Sequence, residues 1–226
     1  MSAEQVAEKV ATENEGKEKR DCWICLDDGP DESGARPQPT GCACRGGATT
    51  HAHVGCLAKF AQEKAETWFQ CPTCGQRWSG PVRLALAHRW HELAAGLPEA
   101  DGQRLAAAYQ LSHALREAGQ YEEALRLGRE NVVRMRRVAG PEHRGTLGAM
   151  QSVASTHIER GDHEAALPLM TEMVATSRRV NGAEHEDTLR AVGFLGRLLC
   201  DMGDHAAAAP LLEEAVEGLS LSLIHI

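Results

Sequence analysis

The chain has 226 residues, a net charge of −8 and only 4% aromatic residues. Its length allows one large or two small domains, and its acidic balance excludes an overall basic field that would draw it to nucleic acid or anionic lipid. No apolar run approaches the ~18–20 residues needed to span a bilayer, and the wealth of Ala, Leu and Gly suits thin helical layers better than one thick core.

Residues 1–20 are rich in Glu and Lys, with Val6 and Val10 the only sizeable apolar side chains after Met1. That is too little to offset ordering entropy, so a disordered arm is expected. From Cys22 the pattern changes to C-x2-C (Cys22, Cys25), C-x-C (Cys42, Cys44), H-x2-C (His53, Cys56) and C-x2-C (Cys71, Cys74). Tetrahedral zinc takes four sulfur or imidazole ligands, and two ligands one or two residues apart grip it from one short turn. Four such pairs supply two closed, structural sites, so two Zn2+ ions are the expected cofactors. The alternative, a disulfide framework, meets an odd number of cysteines and a histidine where an eighth would be needed. No apolar signal segment precedes the motif, which points to an intracellular protein, cytoplasmic or nuclear. The insert Asp27–Thr40, with three prolines and two glycines, is expected as an irregular loop. The alanine-rich stretch 57–69 is expected to be helical. A segment this small should depend on its metal to fold.

The order and spacing resemble the RING-CH (RING-variant) family, on CWICLDD at 22–28, CACRGG at 42–47, HVGCL at 53–57 and CPTC at 71–74. The resemblance implies a zinc-stabilised cross-brace module, RING-like and α+β, over residues 21–80. Cys22, Cys25, His53 and Cys56 would hold one zinc, and Cys42, Cys44, Cys71 and Cys74 the other. His51 competes with His53, but only His53 preserves H-x2-C. The family implies a ubiquitin-protein ligase, a transferase that forms no covalent bond with ubiquitin and docks a ubiquitin-conjugating enzyme. Ile24, Trp68 and Pro72 would be the docking residues, the alternative for Ile24 and Trp68 being the small core between the zincs. Many active relatives carry Arg or Lys directly after the last ligand; here Gly75 stands there. A PHD-type histone reader, with the same ligand order, is the nearer rival in fold. A non-catalytic zinc-binding adaptor is the rival in function.

Beyond Pro81 a period of 42 appears: Gly119, Gly161 and Gly203; Ala124, Ala166 and Ala208; Leu105, Leu147 and Leu189; His143 and His185. Each unit reads helix, glycine turn, helix, loop, with pairs at 105–118 and 121–138, 147–160 and 163–180, 189–202 and 205–219. The glycines should end each first helix in a left-handed conformation. Asp162 and Asp204 should cap the second helices, and Thr146 and Thr188 the next first helices. One pair cannot bury its own apolar face, so neighbours must stack.

The repeats resemble tetratricopeptide repeats of the 42-residue kinesin-light-chain kind, on GQYEEAL at 119–125, GDHEAAL at 161–167, GDHAAAA at 203–209 and the loops GPEHRGTL and GAEHEDTL. An all-α tetratricopeptide solenoid over 104–219 is implied, with a groove for a protein or peptide client. Residues 81–103 are expected to supply a linking and capping helix (82–96) and a loop. The closing SLSLIHI breaks the register, so 220–226 is expected as a non-repeat tail and the natural chain to carry further repeats. The histidines that recur with the period are framework positions, and no Ser-His-Asp set, P-loop or dinucleotide fingerprint is present. No catalytic side chain is expected.

Overall fold

The computed structural model describes residues 21–40, 42 and 51–224; the arm 1–20 and Cys44 lie outside the described residues. The chain divides into two compact units between Trp90 and His91.

In the first unit a two-stranded antiparallel ribbon pairs β1 (Gln38–Pro39) with β2 (His51–Ala52). Helix α1 spans Val54–Glu63 and a 3-10 turn spans Ala65–Trp68. The helix therefore begins earlier than the expected 57 and breaks at Lys64, whose extended backbone (φ −127°) cannot continue it. Asp31, from the insert, accepts the Gly55 amide at the start of α1. A Cβ at Gly55 would stand 2.8 Å from the Asp31 carboxylate, so glycine admits the loop. Asp31 also accepts from the Ser33 and Ala35 amides at 2.9 and 3.1 Å. The insert is thus tied to the helix rather than free of it. Burial would raise the Asp31 pKa, but these hydrogen bonds from Ser33, Ala35 and Gly55 hold the carboxyl below its ordinary value.

Helix α2 spans Gly80–Ala94. Its residues 80–90 fall in the first unit, and Val82, Leu86 and Trp90, four apart, are all buried. Trp90 stacks on Trp68 at 5.6 Å and meets Phe69 edge-on at 5.2 Å. Trp78, 2% exposed, donates its indole N–H to the Thr67 carbonyl at 2.8 Å. These side chains give the unit a small aromatic core, and Leu57 of α1 is buried as well.

The second unit is helical. Its helices are α3 (Gly102–Glu117), α4 (Tyr121–Val138), α5 (Arg144–Glu159), α6 (His163–Asn181), α7 (Glu186–Asp201) and α8 (His205–Ile224). Each packs on the next, and α3 also packs on α5, which sets first helices side by side. Helix α8 runs beyond its expected end at 219, because nothing in LSLSLI interrupts helical backbone. No described helix is long and apolar enough to cross a membrane.

The period has local causes. Gly119, Gly161 and Gly203 take φ of 74°, 85° and 83°, and the amide after each reaches back to Leu115, His157 and Leu199 carbonyls at 2.8–2.9 Å. Ala124, Ala166 and Ala208 are buried, and the small side chain lets paired helices approach. A continuous core runs from Leu125 and Val132 through Met150 and Met170 to Leu195 and Ala215. The basic pairs have partners in neighbouring units. Arg136 meets Glu172 at 2.7 Å and Arg178 meets Glu214 at 2.5 Å, the same contact 42 residues on. Such exposed pairs fix register more than they add stability.

Asp162 and Asp204 cap α6 and α8 as expected, accepting from the Ala165 and Ala207 amides at 3.4 and 3.1 Å. Arg160, at 2.7 Å, holds the Asp162 carboxyl below its ordinary pKa of 3.8. Its contribution is therefore complete above pH ~4 and is lost as pH falls through the lower folded value.

Thr146 and Thr188 are not caps. They lie inside the first turns, fully buried, and the Thr146 hydroxyl donates to the Gly140 carbonyl at 2.7 Å. The caps are His143 and His185, whose Nδ1 atoms accept from the Gly145 and Asp187 amides at 3.0 and 3.1 Å. Asp101, in the same register, accepts from Gln103 at 2.7 Å. Imidazole Nδ1 stands at the same bonded distance from Cα as an Asp Oδ, so it fills the same place. Replacing His143 by Ala should cost about 1 kcal/mol, while His143→Asp should retain the stability. Urea unfolding checks this: an unmoved midpoint in the alanine variant would remove the capping role.

Candidate metal centre and interaction groove

Seven of the described cysteines and histidines gather in two clusters that interleave along the sequence. Cys22, Cys25, His53 and Cys56 place one donor atom each within 4.8 Å of one another, as do Cys42, Cys71 and Cys74. Cys44, the expected fourth member of the second set, lies outside the described residues. His51 belongs to neither cluster; it sits in β2, where its carbonyl accepts the Trp23 amide at 3.1 Å.

His53 precedes α1, which carries Cys56 one turn further on. Its Nε2 lies 2.7 Å from the Gly29 carbonyl. A carbonyl only accepts, so Nε2 carries the proton and Nδ1 offers its lone pair. That Nδ1 stands 3.3 Å from Cys25 Sγ and 3.8 Å from Cys56 Sγ. The carbonyl behind the ring is what a metal-ligating histidine needs to fix its tautomer. Burial lowers the His53 pKa, but the Gly29 carbonyl and Cys22 outweigh it and raise it above the ordinary value.

The thiols feel each other strongly. Burial pushes Cys22 up, yet the amides of Cys25, His53 and Ile24 together bring it down to about 7. Burial and the neighbouring sulfurs of Cys25 and Cys22 push Cys56 up to about 12. Sulfurs crowded in this way ionise together only around a cation. Zinc, with bonds of about 2.0–2.3 Å, sets its ligands about 3.5–3.8 Å apart. The donor set, the spacing and the histidine tautomer fit it.

The two C-x2-C turns are built alike. Leu26 and Gly75 donate their amides to Cys22 and Cys71 carbonyls at 2.7 and 2.9 Å, and Cys22 and Cys71 donate forward to Asp27 and Gln76 at 2.9 and 2.8 Å. The residue after each second cysteine consequently takes positive φ, 62° at Leu26 and 72° at Gly75. Gly75 meets this freely, whereas the same conformation costs Leu26 about 1 kcal/mol, and Leu26 is 80% exposed. Ile24 and Pro72, on the same turns, are half-buried. Trp68 is buried against Trp90 and serves the core. Leu26 is the apolar residue on this surface that sequence reasoning passed over; its place directly after Cys25 was the available signal.

In the second unit a cleft of about 890 Å3 is lined by Tyr109 of α3, Leu147 and Gln151 of α5 and Phe194 of α7, with Met173 and Ser177 of α6 beneath. The first helices α3, α5 and α7 contribute to its walls together with the second helix α6 and the loop residues Glu142 and His185.

The tetratricopeptide-repeat family model matches residues 103–177 and again 149–220, together just over half of the chain. The chain belongs to the tetratricopeptide-repeat family. Among solved structures, its tetratricopeptide fold is similar to a Podosopora anserina putative kinesin light chain with nearly identical TPR-like repeats. A singly substituted form of that protein gives a TM-score of 0.56 at 22% identity, covering 75% of this chain and 86% of that one. BtubC (BKLC) from P. vanneervenii gives a TM-score of 0.55 at 16% identity, over 73% of this chain and 60% of the other. A Rap protein complexed with Competence and Sporulation Factor gives 0.56 at 14%, over 74% and 43%. No curated protein sequence matches the chain. At these identities the tetratricopeptide likeness is one of fold, and the repeats are built for protein–protein interaction.

Proposed function

We propose that this chain is an intracellular RING-type ubiquitin-protein ligase. Its N-terminal unit, of RING-CH type, binds two structural zinc ions and a ubiquitin-conjugating enzyme, while its repeats capture a client protein. The observation that carries the reading is the interleaving of the two clusters. Cys22 and Cys25 join His53 and Cys56 across Cys42, and Cys42 joins Cys71 and Cys74 across α1. A helix between the third and fourth ligand pairs favours the RING-CH type over a PHD-type histone reader. Cys44 completes the second zinc set.

The zincs hold two tight turns, and they present apolar residues where a partner can reach them: Ile24 and Leu26 on one turn, Pro72 on the other. Such residues on rigid turns suit contact with another protein. The chemistry asked of this chain is positioning: it holds the conjugating enzyme's thioester near a client lysine, and no side chain of its own reacts. The clients are proteins or peptides bound in the cleft.

The experiment is autoubiquitination by the full chain with activating enzyme, ubiquitin and a panel of conjugating enzymes. Conjugates should form with at least one of them. Gly75, which offers no side chain to clamp ubiquitin, favours a second reading as a zinc-binding adaptor without catalysis. Absence of conjugates across the panel, from protein holding two zinc equivalents, would establish that reading instead.

A further inference from the structure

The first and second repeats differ from the third at three positions that meet in one place. Asn131 of α4 stands in register with Met173 and Ala215, both 4% exposed and part of the core. Asn131 is itself 2% exposed, and its side-chain oxygen has no hydrogen-bond partner. A polar group in that condition is costly to keep, while the other repeats show that an apolar residue fits. Arg144 and Gly148 of α5 stand in register with Glu186 and Arg190 of α7, which pair with each other at 2.5 Å. In α5 the acid has become arginine and its partner has become glycine. Among the described residues Arg144 has no carboxylate partner, and a Cβ at Gly148 would meet nothing within 4 Å.

These residues line a pocket of about 400 Å3, completed by Leu105 and Tyr109 of α3 and Met135 of α4. It opens into the larger cleft, with which it shares Tyr109, Arg144 and Gly148. Apolar walls, a buried amide with an unpartnered oxygen and an uncompensated cation thus converge where the absence of a side chain at 148 leaves room. The cleft continues from α3 to α7, which suits an extended chain better than a compact metabolite.

We propose that this pocket recognises an extended client segment carrying an apolar side chain next to an acidic one. The apolar side chain enters between Leu105 and Met135, the Asn131 amide hydrogen-bonds the client backbone beside it, and the carboxylate pairs with Arg144. The proposal rests on the reading of the repeats as the client-binding unit, and it names the client's chemistry.

The test measures fluorescence anisotropy of labelled heptapeptides with a central leucine flanked by glutamate, glutamine or lysine, titrated with the full chain. The glutamate set should bind at least tenfold more tightly than the lysine set. Asn131→Met, which copies Met173, should weaken binding at least fivefold without lowering the melting temperature. Arg144→Glu should weaken it at least tenfold and turn the preference toward lysine. Equal binding of both sets, no effect of Asn131→Met, or no binding by any set overturns the pocket. Peptide that binds but ignores both substitutions places the client elsewhere in the cleft and also overturns it. Autoubiquitination run in parallel should be unchanged in both variants, so failure of the pocket and failure of the ligase reading are told apart.

Discussion

Replacing His53 by alanine is expected to unfold the N-terminal unit and leave the repeats standing. His53 contributes Nδ1 to a cluster with Cys22, Cys25 and Cys56, and its ring also ties Gly29 of the insert to the start of α1. Binding of structural zinc contributes on the order of 10–16 kcal/mol in small metal-dependent domains. The aromatic core of this unit is small, so losing one ligand should exceed what Trp68, Trp78 and Trp90 hold together. Metal analysis should find two zinc equivalents in the unmodified chain and fewer in the variant. Limited proteolysis should open residues 21–79, while circular dichroism keeps most of its helical signal, because α3–α8 have their own core. His51→Ala is the control. Its backbone pairs with Trp23 and Pro39 and it lies in neither cluster, so zinc content should stay at two. The opposite result would move the ligand to His51, and no zinc in either protein would remove the metal from the account.

Ile24→Ala combined with Pro72→Ala should lower ubiquitin transfer at least tenfold while zinc content stays at two equivalents. Both residues are half-buried on the paired turns, and neither is a metal donor. Truncating a central interface residue typically costs about 1–2 kcal/mol or more, and about 1.4 kcal/mol is tenfold in affinity. Leu26→Ala should act in the same direction, since its side chain is 80% exposed and its backbone strain persists whichever side chain is present. Trp68→Ala should behave differently. It removes the stack on Trp90 and should lower the melting temperature before it touches docking selectively. Transfer that survives the double substitution would place the docking surface elsewhere on the unit.

The sequence by itself determined the repeat. A 42-residue register of glycines, alanines and leucines leaves little choice, because each position answers a local demand. Glycine supplies positive φ at the helix end, alanine allows close approach, and leucine covers the neighbour. The pairing of cysteines and histidine into clusters was legible for the same reason, since two donors spaced by one or two residues act through a single short turn. Tertiary structure decided what depends on residues far apart in the chain. It chose His53 over His51 for the cluster by setting the Gly29 carbonyl behind the ring. It moved the caps from the threonines to His143 and His185, an interchange that propensity alone does not favour. It buried Trp68 beneath Trp90, twenty-two positions away and on another helix. And it brought Asn131, Arg144 and Gly148 into one pocket. Each is an ordinary residue in its own segment; their convergence comes from packing α3 against α5 across α4, a contact that no local pattern specifies.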